Sequence, residues 1–503
     1  MSAKPIMIQG TGSGVGKSIL VAALCRIFKR DGWRVAPFKA QNMALNSYVT
    51  AKGEEMGRAQ VVQAEAAELE PEVEMNPILI KPSSDTKAQV IVLGKPIGNF
   101  GAMQYHQFKQ ELLKVVEESY QKLAKNFDIV VIEGAGSPAE INLREGDIVN
   151  MRIAQMTKSP VILVGDIDKG GVFAWIWGTL DLLSPKDRKK IKGIVINKFR
   201  GDKDILSPGL EFLEKKTNCP VLGVIPYFKD IRIQEEDSLS IEDKNFSKKG
   251  EIKIEVIYLP HISNFTDFDY LKEERKVSLK FTGREESLGN PDVVIIPGSK
   301  NTIDDLFYLK EKGYAREIVN LAKKGKIIVG ICGGFQMLGK EINDPYYVET
   351  HKGKIKGLNL LDISTTIEKR KVTHQVRATP LKVFNPHQVL TGYEIHMGRT
   401  ILGKKVSHLF KITQRSQQKV EILDGATNKE ESIFGTYIHG IFDNDEFRTE
   451  FINLIRKRKG LPLLENTNRC INRKQEYEKL ANLVESNLNK DLIYKILKKG
   501  LTI

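Results

Sequence analysis

The sequence predicts an α/β protein with two doubly wound domains and a short helical C-terminal tail. Two series of short, apolar, β-rich runs alternate with helical patterns, which is typical of parallel strands joined by crossover helices. A charged segment with little periodicity separates the two series, and 503 residues are more than one hydrophobic core usually supports. We therefore expect a first domain over 1–229, a linker over 230–251, a second domain over 252–444 and a tail over 445–503.

The first series of strands begins at residues 4–10, which read as a buried strand ending in a glycine-rich turn. Apolar residues at helical spacing over 18–30 predict the first helix. Further β-rich runs with helical patterns between them lie at 128–132, 160–164, 193–196 and 220–228. This alternation indicates a parallel sheet with crossover helices.

The second series comprises apolar runs at 252–259, 292–298 and 326–332, and it ends near 433–442. Residues 445–503 are basic and carry helical patterns. We expect them to form a C-terminal appendage that packs on the second domain. The sequence contains no internal repeat and no low-complexity tract.

The composition is that of a globular protein without a membrane segment. Hydrophobic residues make up 41% and charged residues 28% of the chain, as in ordinary soluble domains. The nearest candidate for a span, 171–183, is too short, and the N-terminus lacks the pattern of a signal peptide. The four cysteines lie far apart without a CxxC pair, which argues against disulfides and structural zinc. We therefore expect a cytoplasmic protein that does not bind membranes.

The net charge of +14 is compatible with three kinds of partner. These are nucleic acid, an anionic membrane surface and small polyanionic substrates. The lysines and arginines are spread along the chain and are densest in the last fifty residues. A solvated basic surface is the simpler interpretation, and the net charge alone does not distinguish among these partners.

A phosphate-binding loop is predicted at residues 10–18, which read GTGSGVGKS between the first strand and the first helix. Glycines let several backbone N–H groups converge on phosphate oxygens, and the helix dipole favours the same anion. Lys17 is expected to reach the β- and γ-phosphates, and Ser18 to bind Mg²⁺. The strand–loop–helix context disfavours the alternative of an incidental GKS in a glycine-rich turn. The residues assigned to ATP are Thr11, Gly12, Gly14, Gly16, Lys17 and Ser18.

Polar side chains follow later strands of the same predicted sheet. Glu133 ends the 128–132 run, where ligands of α/β sheets gather, and it is a second candidate for Mg²⁺. Asp166 and Asp168 are similar candidates, with an ordinary strand-end role equally open. Asn197 and Lys198 lie where related nucleotide-binding enzymes recognise the base, and a plain strand-end role is again the alternative.

A reactive cysteine is predicted in the second domain. Residues 326–339 read KIIVGICGGFQMLG, a buried strand followed by a tight turn and a helix. Cys332 would stand on this elbow at a helix N-terminus, which favours its thiolate. The N–H of Gly333 would face a tetrahedral oxyanion, and Gly298 and Ser299, after the preceding strand, would supply a second donor.

A base for this cysteine must come from elsewhere in the chain, and His439 is the best candidate. A lone buried cysteine or histidine is ordinarily a packing residue, but the elbow sequence reverses that expectation for Cys332. The other cysteines have no such context and read as structural: Cys25, Cys219 and Cys470. Four histidines are interpreted as surface or packing residues: His106, His351, His387 and His408.

Both halves of the chain resemble known families. The loop, in the form GTxxxVGKS, is similar to that of dethiobiotin synthetase and its relatives, whereas partition-type ATPases usually carry a second lysine where Thr11 stands. The second half resembles the flavodoxin-like domain of class I glutamine amidotransferases. That resemblance implies that Gln336 binds glutamine and that Glu394 and His396, within GYEIHMGRT, are secondary site residues.

One position departs from the class I pattern. Most members carry His-x-Glu, and the resemblance aligns that glutamate with Ile441 here. The departure is shared with the cobyric acid and cobyrinic acid diamide synthase branch. The residue that orients His439 is therefore open, and Asp443 is a candidate.

Longer strings resemble the cobyric acid synthase family over roughly residues 4–445. They lie at 37–47, 55–67, 75–85, 133–154, 263–269 and 297–306. The resemblance implies amidation of the b, d, e and g carboxylates of adenosylcobyrinic acid a,c-diamide, with ATP and Mg²⁺ as cofactors. It implies an acyl phosphate, ammonia delivered internally from glutamine, a corrinoid polycarboxylate as partner and no nucleic acid. Candidate substrate contacts are Gln41, Asn42, Asn46 and Asp147.

Three alternative functions are weighed against this one. An a,c-diamide synthase would perform the same chemistry on other carboxylates, and only the strings at 40–47 and 55–67 separate the two. A partition-like ATPase would bind DNA through its basic surface, but Thr11 and the intact Cys332 elbow count against it. A relative that amidates a different acid is the third. The oligomeric state, the order of amidations and the ammonia path are not predicted.

Overall fold

The computed structural model describes residues 3–83, 86–234, 250–283, 286–465 and 472–499. Most of the predicted linker, and Cys470, lie outside these residues. The fold class is confirmed, because two sheets with parallel cores follow each other along the chain, each accompanied by helices.

The central sheet of the first domain is parallel throughout, with the strand order β12–β11–β10–β1–β9–β2. The strands of this domain are β1 (Lys4–Gly10), β2 (Val35–Phe38), β3 (Gln41–Met43), β4 (Ser47–Val49), β5 (Glu55–Gly57), β6 (Ile78–Pro82), β7 (Lys87–Val92), β8 (Lys95–Gly101), β9 (Ile129–Glu133), β10 (Val161–Asp166), β11 (Ile191–Phe199) and β12 (Val221–Pro226). Strands β3, β6, β7 and β8 form a separate small sheet, and β4 pairs with β5 as a hairpin.

The central sheet collects polar side chains at one edge. Strands β9 and β10 are buried along their whole length, as expected for strands covered on both faces. Because the strands are parallel and in register, Glu133, Asp166 and Asn197 end at the same edge as the phosphate loop, which follows Gly10.

The helices pack apolar residues against both faces of this sheet, in two buried clusters. The first-domain helices are α1 (Lys17–Arg30), α2 (Arg58–Ala66), α3 (Ala102–Asn126), α4 (Met151–Met156), α5 (Val172–Leu182), α6 (Pro185–Arg188) and α7 (Lys203–Thr217). Short 3₁₀ turns lie at Val73–Met75 and Ile141–Gly146.

The second domain has one sheet in the order β15–β13–β16–β18–β27–β26–β23, of which the first five strands are parallel. Its strands are β13 (Ile252–Ile257), β14 (Ile262–Ser263), β15 (Val277–Thr282), β16 (Val293–Ile296), β17 (Gly298–Ser299), β18 (Ile327–Ile331), β19 (Glu341–Asn343), β20 (Lys354–Lys356), β21 (Ile363–Pro380), β22 (Leu390–Leu402), β23 (Val406–Ser407), β24 (Phe410–Arg415), β25 (Gln418–Asp424), β26 (Ala426–Asn428), β27 (Ile433–Thr436) and β28 (Ile438–His439). A second sheet, in the order β20–β19–β21–β22–β28, lies against the turn that follows β18.

The helices of the second domain and of the tail complete the fold. They are α8 (Asp269–Glu273), α9 (Thr302–Glu311), α10 (Tyr314–Lys323), α11 (Gly333–Met337), α12 (Asp445–Arg458), α13 (Arg473–Glu485) and α14 (Lys490–Lys499), with 3₁₀ turns at Phe265–Phe268 and Ile441–Asp443. Among the helices that the structure describes, none combines the length and the apolar character needed to cross a membrane.

The expectation that the whole tail packs on the second domain is wrong. Helix α12 does so, with Phe447 and Phe451 buried in the second-domain core. Helices α13 and α14 instead pack on the first domain, where Leu480 and Ile496 belong to the cluster around α1. Their apolar faces are complementary to α1, so the chain crosses back from one domain to the other.

Candidate active sites

The phosphate loop holds its lysine in a folded-back position. The Lys17 Nζ donates to the Gly12 carbonyl at 2.7 Å and to the Gly136 carbonyl at 3.2 Å. The Thr11 Oγ1 is buried and has no hydrogen-bond partner among the described residues. A buried hydroxyl of this kind is usually satisfied by a ligand or water, so the loop is suited to bind an anion with several oxygens.

The predicted magnesium ligands meet directly. The Ser18 hydroxyl donates to Glu133 Oε1 at 2.8 Å, and the Lys39 ammonium donates to the same oxygen at 2.8 Å. Burial alone would raise the pKa of Glu133, but the Lys39 charge and the hydrogen bonds from Lys39, Gln63 and Ser18 outweigh it and lower that pKa. Glu133 is therefore an ionised carboxylate, and its oxygens together with the Ser18 hydroxyl form a donor set of the kind that suits Mg²⁺.

Lys39 is a residue of this site that sequence reasoning did not single out. It follows strand β2 directly, and its side chain is buried against Glu133. A lysine placed right after a buried strand of the sheet was the available signal, because that edge is where charged ligands of α/β folds bind.

The predicted base-recognition residues are tied to the phosphate loop. The Asn197 Nδ2 donates to the Val15 carbonyl at 2.8 Å, and the Lys198 Nζ donates to the Gly14 carbonyl at 2.7 Å. Lys198 also pairs with the buried Asp166 at 2.8 Å. Gly16 has a φ of 97°, and a Cβ there would lie 2.1 Å from Asn197 Nδ2, so only glycine fits.

Asp168, the other acidic candidate at this edge, is exposed and pairs with Arg200 at 2.7 Å. Its carboxylate is therefore engaged on the surface, whereas Asp166 is buried beside the loop through Lys198. The structure brings Glu133 to Ser18, and it brings neither aspartate to that hydroxyl.

The four candidate substrate residues lie in different settings. Asn42 is buried and donates to Gln60 at 2.9 Å, and Gln41 accepts a hydrogen bond from Tyr105. Asp147 accepts from the backbone N–H of Val149, Asn150 and Arg152, which caps the start of α4. Asn46 is buried at the boundary with the second domain, where its Oδ1 accepts from the Phe265 N–H at 3.0 Å. Substrate contact by these residues stays a prediction.

The cysteine elbow has the strained backbone that its sequence predicts. Cys332 joins β18 to α11 with a φ of 52° and a ψ of −108°, a conformation that side chains rarely adopt. Its sulfur lies 3.7 Å from the Ile395 carbonyl of β22. The elbow therefore presents the thiol between the parallel sheet and the second sheet.

The predicted oxyanion residues cluster around this thiol and its histidine. A Cβ built on Gly333 would lie 3.0 Å from the Ser299 nitrogen, and one built on Gly298 would lie 3.1 Å from Cε1 of His439. Strand β17 thus brings its backbone to the start of α11. The two predicted N–H donors are near neighbours, as an oxyanion hole requires.

His439 is oriented by Asp267, and the prediction of Asp443 for this role is wrong. The Asp267 Oδ2 lies 2.6 Å from the His439 Nδ1, and its Oδ1 accepts from the Gly440 N–H at 3.0 Å. Asp443 instead pairs with Arg473 of α13 at 3.2 Å. Ile441 is buried in the apolar core, so the expected glutamate position is closed to a charged group.

The charge state of His439 follows from these neighbours. Burial would lower the pKa of His439, but the Asp267 carboxylate, together with a hydrogen bond and charge attraction to Cys332, outweighs burial and raises that pKa to about 10. His439 is thus a proton-bearing imidazole beside the sulfur at neutral pH. A cysteine and a histidine in this relation form a nucleophile with an acid–base partner.

The residues implied by the amidotransferase resemblance lie on α11, which follows the thiol, and on β22, whose Ile395 carbonyl lies near the sulfur. Gln336 is buried, and its Oε1 has no hydrogen-bond partner among the described residues. Glu394 forms a two-pronged pair with Arg415 at 2.6 and 2.7 Å. The His396 ring stacks on Tyr437 at 3.9 Å between centroids. Among these described side chains, the Gln336 oxygen and the buried His396 Nε2 both lack a hydrogen-bond partner and can accept from a ligand.

A chain of contacts joins the thiol site to the first domain. The Tyr393 ring stacks on His439 at 5.2 Å between centroids, and the Tyr393 hydroxyl accepts from the Asn264 Nδ2 at 3.0 Å. The Asn264 Oδ1 in turn accepts from the Ser47 N–H at 3.3 Å. The hairpin of β4 and β5 therefore contacts Asn264, which in turn holds the tyrosine stacked on His439.

A buried ion cluster fixes the same hairpin to the second domain. The Glu55 carboxylate of β5 is fully buried, and it pairs with Lys81 of β6 at 3.0 Å and with Lys371 of β21. Burial would raise the pKa of Glu55, but the two lysines outweigh it and lower that pKa to about 2. Glu55 is thus charged, whereas burial lowers the pKa of Lys371 to about 7, so this lysine depends on the Glu55 carboxylate to keep its proton. The cluster crosses the domain boundary.

Comparison with known proteins agrees with both sites. Residues 6–241 match the CobQ/CobB/MinD/ParA nucleotide binding domain, and residues 253–447 match the CobB/CobQ-like glutamine amidotransferase domain. The chain is 52% identical to the cobyric acid synthase of Caldanaerobacter subterraneus subsp. tengcongensis, over 98% of each chain. It is 53% identical to the cobyric acid synthases of Alkaliphilus metalliredigens and of a Thermoanaerobacter species, over 98% of this chain and 99% of each relative.

The nucleotide-binding domain and the amidotransferase domain together define an amidating ligase that carries its own glutaminase. The chain belongs to the cobyric acid synthase family, whose members act in cobalamin biosynthesis.

Proposed function

We propose that the protein amidates the b, d, e and g carboxylates of adenosylcobyrinic acid a,c-diamide, with ATP to activate each carboxylate and glutamine as the nitrogen source. The observation that carries the proposal is the contact of the two sites through one hairpin. Ser47 supports the histidine side through Asn264, and the helix that follows the hairpin brings Gln63 to Glu133. We infer a cytoplasmic location from the four widely spaced cysteines, which have no CxxC pair.

Glutamine hydrolysis uses the thiol site. The Cys332 sulfur attacks the side-chain amide carbon, and the N–H groups near Gly333 and Ser299 stabilise the oxyanion that forms. His439 donates its proton to the departing ammonia, which leaves a thioester. The neutral imidazole then takes a proton from water, and hydroxide attack releases glutamate. Asp267 holds the ring in the orientation and tautomer that these transfers need, as its 2.6 Å contact with Nδ1 supports.

Carboxylate activation uses the phosphate loop. A substrate carboxylate oxygen attacks the γ-phosphorus of ATP, ADP leaves, and an acyl phosphate results. Lys17 moves from its carbonyl partners onto the phosphates, where its charge offsets the charge that develops on the transferred group. Ser18 and Glu133 would hold Mg²⁺, and the bound ion would neutralise the β- and γ-phosphate oxygens. Lys39 keeps Glu133 ionised for that task.

Ammonia then attacks the acyl phosphate carbon, and phosphate leaves to give the amide. Ammonia released into water at neutral pH is mostly ammonium, which has no lone pair for attack. Internal delivery avoids that protonation. The contacts of β4 and β5 with Asn264 and Lys371 of the second domain support a short route between the two sites. The basic chain, with a net charge of +14, also suits an anionic corrinoid polycarboxylate.

Mass spectrometry of the corrinoid tests the proposed function directly. The protein is incubated with ATP, Mg²⁺, glutamine and adenosylcobyrinic acid a,c-diamide, and the products are counted by the number of carboxylates converted to amides. We expect conversion at b, d, e and g with one ATP consumed per amide. A parallel incubation contains cobyrinic acid in place of the a,c-diamide. Amidation of cobyrinic acid at a and c, with the a,c-diamide left unchanged, would assign the chain to the diamide synthase reaction.

A further inference from the structure

The loop that supplies the proposed second oxyanion donor ends in a buried asparagine, and none of the reaction steps above uses it. Asn301 follows Ser299 by two residues and is 1% exposed. Its Oδ1 accepts from the Asp304 N–H at 3.3 Å, which caps the start of α9. Asparagine is a preferred capping residue, so capping accounts for this half of the amide.

The other half of the amide reaches the first domain. The Asn301 Nδ2 donates to the Asp304 carboxylate at 2.7 Å and to the Ser83 carbonyl at 3.2 Å. An amide nitrogen has two hydrogens to donate, and both are used here. Ser83 directly follows strand β6, so the second bond crosses the boundary between the domains. The bond to Ser83 has no part in capping α9.

The same loop is also braced within the second domain. The Asn301 N–H donates to the Ser299 Oγ at 3.0 Å, and that hydroxyl donates to the Asp305 carboxylate at 2.6 Å. Asp305 lies 2.8 Å from the His261 Nδ1. Strand β17 pairs with β14 through Ser299 and Ile262. Ser299 is therefore held by its own domain, and Asn301 adds a support from the first domain.

The position of this loop matters for the chemistry of the thiol site, because Ser299 lies at the start of α11. A Cβ on Gly333 would lie 3.0 Å from the Ser299 nitrogen and 3.1 Å from the Thr302 Oγ1. An oxyanion donor acts only where its N–H points at the developing charge, and a displacement of about 1 Å can cost about 100-fold in rate. A bond that fixes the loop can therefore affect the rate without touching glutamine.

The first-domain partner of Asn301 is itself fixed in place. Strand β6 runs parallel to β3, and β3 begins two residues after Lys39 of the phosphate site. Lys81 lies two residues before Ser83 and forms the buried pair with Glu55. The Ser83 carbonyl is thus part of a rigid edge that connects the phosphate site with the second domain.

We propose that Asn301 is a positioning residue for glutamine hydrolysis, because it fixes the oxyanion loop of the thiol site against the ATP-binding domain. The inference rests on the proposed oxyanion role of Ser299. The thiol site is then completed by a contact from the other domain, and docking of the domains sets the geometry of the oxyanion hole. Ammonia is made at the full rate only where the ATP-binding domain is in place to use it.

Steady-state release of glutamate by the full-length protein tests this role. Asn301→Ser keeps a good capping residue but is too short to reach the Ser83 carbonyl. We expect kcat for glutamate release to fall about tenfold to 100-fold with the KM for glutamine near its wild-type value, because an oxyanion donor acts in the transition state. Ammonium-dependent amidation should keep its wild-type rate. Asn385→Ser is the matched control, since the exposed Asn385 only caps its own turn at His387, and it should match the wild type throughout.

Asn301→Asp provides a second variant of the same size, so that a loss of packing does not decide the outcome. The new carboxylate cannot donate to the Ser83 carbonyl while it is ionised, but a protonated carboxyl can. The nearby Asp304 carboxylate favours the protonated form. The ratio of variant to wild-type kcat should therefore rise as the pH is lowered, whereas a purely structural role would lower the Tm and leave this ratio constant.

A wild-type kcat in both folded variants would overturn the role of Asn301 and leave the proposed function standing. An equal fall in ammonium-dependent amidation would also overturn it, because the effect would then not belong to the thiol site. A wild-type protein that released no glutamate from glutamine would instead contradict the proposed thiol reaction itself.

Discussion

Asp267 and His439 form a 2.6 Å contact across 172 residues of sequence. The aspartate lies in the 3₁₀ turn after β14, and the histidine ends β28. The pair supplies the orienting carboxylate that Ile441 cannot provide. The contact thus explains how the thiol site functions without the His-x-Glu pattern of most relatives in its class.

Asp267→Asn should lower glutamine-dependent amidation by about 100-fold or more, because the imidazole loses its charged partner and its correct tautomer. Amidation driven by added ammonium should stay near the wild-type rate, since it does not pass through Cys332. Steady-state assays with each nitrogen source measure both effects. Asp443→Asn is the matched control, and an equal loss in that variant would contradict the assignment of Asp267.

Stability should depend on pH through the same pair. The pKa of His439 is raised to about 10 from an ordinary value of 6.5, so the folded state binds this proton more tightly than the unfolded state. The resulting stabilisation is fully present below pH 6.5 and is lost as the pH rises through about 10. Urea unfolding across that range should show a larger alkaline loss in wild type than in Asp267→Asn. If the free energy of unfolding changed with pH in the same way in wild type and in Asp267→Asn, the result would contradict the ion pair.

Cys332→Ala should reduce glutamine-dependent amidation by at least about 1,000-fold, because no other group replaces the sulfur nucleophile. Ammonium-dependent amidation and ATP binding should persist, since the phosphate loop is untouched. Glutamate release and amide formation are measured in the same reaction. Loss of the ammonium-dependent rate in a folded variant would contradict the division of labour between the domains.

Lys17→Ala should lower amidation from both nitrogen sources by about 100-fold or more, because the charge on the transferred phosphoryl group loses its partner. Glutamine and ammonium assays provide the measurement. Lys198→Ala is the comparison variant. Lys198 is predicted to lie near the nucleotide base, and its Nζ donates to the Gly14 carbonyl. It should raise the KM for ATP more than it lowers kcat.

Glu55→Gln should destabilise the protein by roughly 3–5 kcal/mol, because the buried Lys81 and Lys371 would lose their counter-ion. Burial already lowers the pKa of Lys371 to about 7, so without Glu55 this lysine would give up its proton. Thermal unfolding should show a Tm lower by roughly 5–15 °C. Glu72→Gln, whose more exposed carboxylate faces Lys52 at 3.7 Å, should change the Tm by no more than about 2 °C. Equal Tm shifts in Glu55→Gln and Glu72→Gln would mean that the buried cluster does not stabilise the contact between the domains.

The features that the sequence predicts well are local ones. A strand followed by a glycine loop and a helix places Lys17 and Ser18 at the carboxyl edge of a sheet. A parallel sheet brings other strand ends, such as Glu133, to the same edge. The elbow at Cys332 is likewise encoded within fourteen residues. Each of these predictions needs only a short pattern and the geometry of α/β folds.

The features that the sequence does not reveal depend on contacts between distant segments. Asp267 lies within the string at 263–269 that resembles the family, but that string does not indicate a partner for His439. The contact exists only once β28 lies beside the aspartate. The apolar face of α13 is readable as an amphipathic pattern, yet the pattern does not tell which domain it covers. The packing of Leu480 and Val484 on α1 decides that question in three dimensions.

The most direct test of the account follows nitrogen from glutamine to the corrinoid. The enzyme is supplied with glutamine labelled with ¹⁵N in its side-chain amide, together with ATP, Mg²⁺, the corrinoid and unlabelled ammonium. The ammonium exceeds the ammonia released from glutamine but is too dilute to drive amidation by itself. Internal delivery predicts that nearly every new amide carries ¹⁵N. Amides that carry the unlabelled nitrogen of the surrounding solution would contradict it.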